Sequence, residues 1–144
     1  MSRLSSRLLA VLSALFMTGG VLLAAGPAQA DKNVFFETKN GKVSCEMTKG
    51  KSLGTQVFCL VMGNKVKSAT LAKNGDVEKC KGVKCAANPP EDIGVLMPKE
   101  KEKVGPFTCR AKSKKAVVCK VTKTGAGFKM NSKGKIDIVA GAQP

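Results

Sequence analysis

Short runs of alternating apolar and polar residues, separated by turn residues, recur between residues 34 and 139. A period of two puts successive side chains on opposite faces of a strand, so these runs predict β-strands. The clearest pair of runs flanks Lys39-Asn40-Gly41-Lys42, whose Asn-Gly pair favours a hairpin because both residues accept positive φ. The predicted strands cover residues 34–38, 43–47, 56–62, 65–71, 93–97, 107–111, 116–121, 128–130 and 136–139.

The order of these runs predicts an all-β fold, a small antiparallel sandwich or barrel built from hairpins. The segment Cys80–Asp92 is expected to be irregular, since Asn88-Pro89-Pro90 is incompatible with regular structure. The charges of Lys99–Lys103 alternate in sign, which is typical of a solvated loop. Residues 139–144 are expected to form a loose tail.

The first 30 residues have the features of a secretory signal peptide. Arg3 and Arg7 precede the uncharged run Leu8–Ala30, and Ala28-Gln29-Ala30 is a small-x-small cleavage site. An uncleaved signal anchor is the alternative, because the uncharged run is long enough to span a bilayer. We expect cleavage after Ala30, a secreted or extracytoplasmic location, a single mature domain over residues 31–144, and no transmembrane segment in that domain.

The six cysteines fall into three neighbouring pairs. We expect the bridges to join nearest neighbours, because two of the pairs lie on facing strands of predicted hairpins and the third closes a tight loop. A zinc site is the alternative, but the chain has no Cys-x2-Cys spacing and no histidine. We therefore expect no metal and no cofactor. The expected bridges are Cys45–Cys59, Cys80–Cys85 and Cys109–Cys119.

The mature chain is strongly cationic. Without Arg3 and Arg7 it has 23 basic and 10 acidic side chains, a net charge of +13, and Arg110 is its one arginine. Lysine gives diffuse attraction to anionic polymers, whereas arginine is the residue for bidentate recognition of bases. We expect an anionic envelope polymer, or another secreted or surface protein, as partner, and no sequence-specific nucleic acid; the alternative is a plain solvated surface. The candidate surface comprises Lys79, Lys81, Lys84, Lys112, Lys114 and Lys115.

The absence of histidine, tryptophan and tyrosine excludes several enzyme classes. Histidine-dependent ribonucleases, Ser-His-Asp hydrolases and Cys-His proteases lack their general base. A glycosidase needs two carboxyl groups beside a sugar-binding cleft, for which Glu91 with Asp92, or Glu37 with Glu46, are the only suggestive pairs. No aromatic platform accompanies them, so we expect no catalytic residue and no enzymatic activity.

Several short motifs occur in an order that resembles a known family. They are Phe36-x-Thr38-x-Asn40-Gly41-x-Val43-x-Cys45, Val57-x-Cys59, Gly105-x-Phe107-Thr108-Cys109, Val118-Cys119 and Thr124-Gly125-x-Gly127-Phe128. The pattern is similar to that of small secreted actinobacterial proteins classed as a domain of unknown function. The resemblance implies a disulfide-bonded extracytoplasmic domain with the same cysteine pairing, and it implies no activity. Ala126 stands where that family often has histidine, and this chain is richer in lysine.

The two hairpin clamps, around Cys45 and Cys59 and around Cys109 and Cys119, also resemble each other. Either an internal duplication or shared hairpin physics accounts for the likeness.

We expect an exported, non-enzymatic β domain that binds anionic envelope polymers through a lysine-rich surface. The alternative is a secreted inhibitor or effector that presents the Cys80–Pro90 loop to a protein partner; a carboxylate-dependent hydrolase is the third and weakest hypothesis.

Overall fold

The computed structural model describes residues 31–52, 54–88 and 90–142, and the predicted signal peptide lies outside the described residues. Apart from one short 3₁₀ helix at Val83–Cys85, the regular elements of this part are strands, which confirms the all-β prediction. In chain order they are β1 (Lys32–Thr38), β2 (Val43–Lys49), β3 (Thr55–Val61), β4 (Lys67–Ala72), β5 (Val77–Lys81), β6 (Gly94–Leu96), β7 (Lys101–Val104), β8 (Phe107–Ser113), β9 (Ala116–Val121), β10 (Gly127–Asn131) and β11 (Ile136–Val139).

The strands form two sheets that pack face to face, so the fold is a sandwich and not a barrel. Sheet I has the order β5-β4-β3-β2-β1-β6, and sheet II has the order β11-β10-β9-β8-β7. Neighbouring strands are antiparallel except β1 and β6, which are parallel. β4 packs against β10, while β1 and β2 pack against β7.

The inward-facing residues of both sheets form one apolar core. Its largest fully buried side chains include Phe107, Phe128, Met47 and Leu71. Each comes from the apolar half of an alternating strand, which is the reason that the sequence pattern predicts both strands and core.

The first hairpin differs in detail from its predicted turn. Gly41 has φ of 63°, whereas Asn40 is not left-handed. The Gly41 amide donates to the Thr38 carbonyl at 2.7 Å, and the Thr38 hydroxyl bonds to the Asn40 side chain at 2.9 Å. One left-handed residue therefore suffices for this turn, and the asparagine contributes its side chain.

Three disulfides join nearest-neighbour cysteines, namely Cys45–Cys59, Cys80–Cys85 and Cys109–Cys119. The first and the third link residues that lie directly opposite each other on β2 and β3 and on β8 and β9. Both bridges are buried between the sheets, where the Sγ atoms of Cys59 and Cys119 are 3.9 Å apart. The two similar hairpins thus face each other across the core.

Two segments predicted to be irregular contain strands. Lys101–Val104 is β7, which pairs with β8, although its alternating charges predict a loop. An edge strand tolerates charges because one of its sides is unpaired, and such charges oppose edge-to-edge aggregation. Cys80 and Lys81 belong to β5, an edge strand that the sequence analysis misses, so the irregular segment begins at Gly82.

Residues 139–142 of the predicted loose tail are attached to the sandwich. Val139 is the last residue of β11, and the amide of Ala142 donates to the Thr124 carbonyl at 2.8 Å. Backbone hydrogen bonding therefore holds the chain to the sandwich as far as Ala142.

A long connector crosses sheet I. β5 and β6 occupy opposite edges of this sheet, so residues 82–93 must span the whole of it. The connector runs over the outer face, the face turned away from sheet II, where Ala87, Pro90 and Ile93 line a small cavity together with Phe35 and Phe58. Sheet II is a simple meander and needs no such crossing, because each of its strands pairs with the next one in the chain.

Candidate functional site

The outer face of sheet II is the open cationic surface of this fold. Alternation turns every second residue of β7 to β11 away from the core. The pairing register then aligns these residues in two rows across the five strands, about 4.8 Å apart from strand to strand. The first row is Lys101–Arg110–Val118–Lys129–Asp137, and the second is Lys103–Thr108–Lys120–Gly127–Val139.

A shallow concavity of about 540 Å³ lies on this face. Its floor is the small and β-branched residues Thr108, Val118 and Val139, and its wall is cationic. The cations that line it are Lys101, Arg110, Lys112, Lys120 and Lys129. We call these five residues the cationic face.

Two features of the sequence give the concavity its floor. A Cβ atom on Gly127 would lie 2.0 Å from the carbonyl oxygen of Cys119, so only glycine permits the close approach of β10 to β9. The hydroxyl groups of Thr108 and Thr122 bond to each other at 2.8 Å, which satisfies both groups on the protein itself. The floor therefore consists of apolar groups and of hydroxyl groups that are already bonded to each other. The polar side chains that remain to bind a ligand are the cations.

The cationic face has almost no compensating negative charge among the described residues. Asp137 is the one carboxylate in the two rows, and it forms an ion pair with Lys135 at 3.3 Å. Lys101 lies directly opposite Arg110 on the neighbouring strand, an arrangement of like charges that is destabilising by about 0.2–1 kcal/mol. A bound anion would relieve this repulsion.

The six lysines selected from the sequence do not form one surface. Lys79 and Lys81 lie on β5 of sheet I, where the Lys79 ammonium donates to the Ile136 carbonyl at 3.1 Å, and Lys84 lies on the connector. Lys114 and Lys115 lie in the β8–β9 turn, and only Lys112 borders the concavity. The prediction grouped lysines that are close in sequence, whereas the cationic face joins residues from four strands. Sequence alternation indicates only part of it, since Arg110, Lys120 and Lys129 fall at outward positions of predicted strands whereas Lys101 falls in a predicted loop.

The outer face of sheet I has the opposite character. Its strand residues include the carboxylates Glu37, Glu46 and Glu78, and the described strands place no lysine or arginine there. Glu37 and Glu46 are not directly opposite each other, since Glu37 pairs with Ser44 and Glu46 accepts a hydrogen bond from Asn33 at 3.0 Å. Glu91 and Asp92 are exposed on the connector.

Three core sulfur atoms, those of Cys45, Cys59 and Cys119, lie within 4.8 Å of one another. All three are in disulfides. A metal is bound by thiolates, so this cluster offers no ligand set while the bridges are intact.

Comparisons with known proteins add no relative: no protein-family model, no curated protein and no solved structure matches the chain. The resemblance to small secreted actinobacterial proteins therefore stays a prediction. Within the residues that the structure describes, no helix is long and apolar enough to cross a membrane.

Proposed function

We propose that this protein is an exported binding domain that holds anionic polymers of the cell envelope on the cationic face. One observation carries the proposal: five cations from four strands surround one open concavity. The two rows of residues that cross this face contain one carboxylate, Asp137, which is already paired with Lys135. Charges of one sign around a concave surface concentrate counter-ions and steer charged ligands toward it.

The composition of the face favours a polymer that is recognised by charge. Proteins that bind single-stranded nucleic acid stack its bases on aromatic side chains. The residues that line this concavity include no aromatic side chain and only one arginine, Arg110. The expected partner is therefore a polymer with repeated phosphate or carboxylate groups, bound without regard to sequence and released as counter-ions are added.

The test is retention of the mature protein on immobilised polyphosphate and on immobilised polyglutamate, eluted with a salt gradient. The variant Lys101→Glu/Arg110→Glu/Lys129→Glu removes three cations of the face. We expect this variant to lose retention at about 0.1 M salt, where exposed charges are screened beyond about 10 Å.

The matched control reverses three exposed lysines in turns at one end of the sandwich, Lys51, Lys73 and Lys123, and has the same net charge. We expect the control to keep most of its retention. Equal loss in both variants would show that net charge, and not this face, causes binding.

A second candidate function is favoured by one observation on the connector. Val83 is 86 % exposed at the tip of the turn closed by Cys80–Cys85, more than any other large apolar side chain among the described residues. An inhibitor or effector that inserts this tip into a protein partner would bind through apolar contact. Its binding to an envelope fraction would persist at high salt, disappear with Val83→Asp and survive the triple charge reversal.

A further inference from the structure

The three disulfides differ in their access to solvent. The four cysteines of the two hairpin bridges are at most 3 % exposed, and their sulfur atoms lie between the sheets. Cys80 is half-buried on β5, the edge strand of sheet I, and faces away from the core. An attacking thiolate must reach a disulfide sulfur, so access separates the Cys80–Cys85 bridge from the other two.

A surface cleft of about 320 Å³ lies beside this bridge. Ser68, Thr70 and Glu78 from the outer face of sheet I form one part of it, and Ala86 and Ala87 border it on the connector side. Lys84 supplies its one cation, since Lys79 and Lys81 point to the other face of β5. The cleft thus offers hydrogen-bonding groups and one charge of each sign next to the half-buried Cys80.

We propose that Cys80–Cys85 is a thiol–disulfide exchange site whose substrate is an exposed dithiol of another extracytoplasmic protein, docked in this cleft. The substrate thiolate attacks the Sγ atom of Cys80, forms a mixed disulfide with it and releases the Cys85 thiolate, which takes up a proton. The second substrate thiolate then attacks the substrate sulfur of the mixed disulfide and releases Cys80. The substrate is oxidised to its disulfide by two electrons, and the Cys80–Cys85 bridge is reduced by the same two electrons.

Attack at Cys80 is favoured by burial. Cys85 is only 6 % exposed whereas Cys80 is half-buried, so an incoming thiolate reaches Cys80 more easily and Cys85 is the sulfur that it displaces. The fold can tolerate the open form, because the bridge closes a loop with a sequence separation of only 5 and restricts the unfolded chain less than a larger loop would. The two hairpin bridges keep the sandwich intact while the surface bridge is reduced.

The first experiment mixes the oxidised protein with an excess of a reduced synthetic peptide that has two cysteines. Alkylation and peptide mapping then locate the thiols. We expect one peptide disulfide to form per protein molecule, with label only at Cys80 and Cys85. Label at Cys45, Cys59, Cys109 or Cys119 at the same stage, or reduction only with global unfolding, would overturn the proposal.

The second experiment compares two single variants that leave one thiol each. With Cys85→Ser the free thiol is Cys80, and with Cys80→Ser it is Cys85. We expect iodoacetamide to label Cys80 at least about tenfold faster, because reactivity follows exposure of the thiolate. Equal labelling rates would show that the Sγ atom of Cys80 is not the preferred point of attack. Far-UV circular dichroism checks that both variants fold.

The third experiment tests the cleft through its two charges. Both reagents attack as thiolates, but the glutathione thiolate carries more negative charge than the dithiothreitol thiolate. We expect Lys84→Gln to slow reduction by glutathione several-fold and Glu78→Gln to accelerate it, with a smaller change in the dithiothreitol rates. If neither variant changes the ratio of the two rates, the incoming thiol does not pass through this cleft.

Discussion

The outer faces of the two sheets differ in charge and in cover. The outer face of sheet I carries three carboxylates and the apolar residues Phe35, Phe58 and Leu60, over which the connector runs. The outer face of sheet II carries the cationic face and stays open. The covered face adds to stability, since Leu60 is only 3 % exposed although it points away from the main core.

The difference in cover between the two outer faces has a topological cause. A parallel pair of strands requires a crossover connection, and the pairing of β6 with β1 sends residues 82–93 from one edge of sheet I to the other. The crossing spans five strand spacings, about 24 Å, which about a dozen extended residues cover easily. Antiparallel neighbours need only short turns, so the meander of sheet II leaves its outer face free. The cationic face therefore lies on the sheet that no connector needs to cross.

The largest effect is expected at the glycine beneath the cationic face. We expect Gly127→Ala to lower the free energy of unfolding by about 3 kcal/mol, because its Cβ would overlap the backbone of β9 and force the strands apart. Urea unfolding measures the change. Gly94→Ala on β6 is the control, since its Cβ would meet the Phe35 carbonyl oxygen at an ordinary 3.5 Å. A similar loss in both variants would mean that the close approach at Gly127 has no special role.

A smaller effect distinguishes the covered face from the open one. Phe58 lies under the connector, whereas Val118 lies on the floor of the open concavity, and both are half-buried. We expect Phe58→Ala to reduce the free energy of unfolding by about 2 kcal/mol and Val118→Ala by about 0.5 kcal/mol. Guanidinium titrations of both variants provide the comparison. If the free energy of unfolding falls by the same amount in both variants, the connector adds no stabilising apolar packing to the outer face of sheet I.

The smallest effect separates binding from stability on the cationic face. Lys101→Glu converts the like-charge pair with Arg110 into an opposite-charge pair, so we expect a gain of about 0.5 kcal/mol in the free energy of unfolding. The same variant should elute earlier from a polyphosphate column. Lys103→Glu has the same net charge but lies opposite Thr108, and we expect no gain in stability from it. Destabilisation by Lys101→Glu would contradict the arrangement of like charges described above.

Local pattern is sufficient to predict most of the strands and the inward-facing core, because both depend on a period of two within a few residues. The chain segments around Met47, Phe107 and Phe128 are examples in which alternation indicates strand and burial together. The alternating pattern does not predict the strands β5 and β7 at the edges of the two sheets. β5 and β7 are rich in charged residues, since an edge strand contacts solvent along one side, and their composition is that of a loop.

The sequence by itself determined the all-β class, the cationic balance and the local neighbourhoods of the cysteines. Only the tertiary structure decided that the fold is a sandwich, that two bridges meet in its core and that the connector covers one sheet. It also decided which cations share one face, since Lys101, Arg110 and Lys129 fall in one row through strand pairing across 28 residues of chain. Pairing register depends on contacts between distant segments, and no local pattern contains that information.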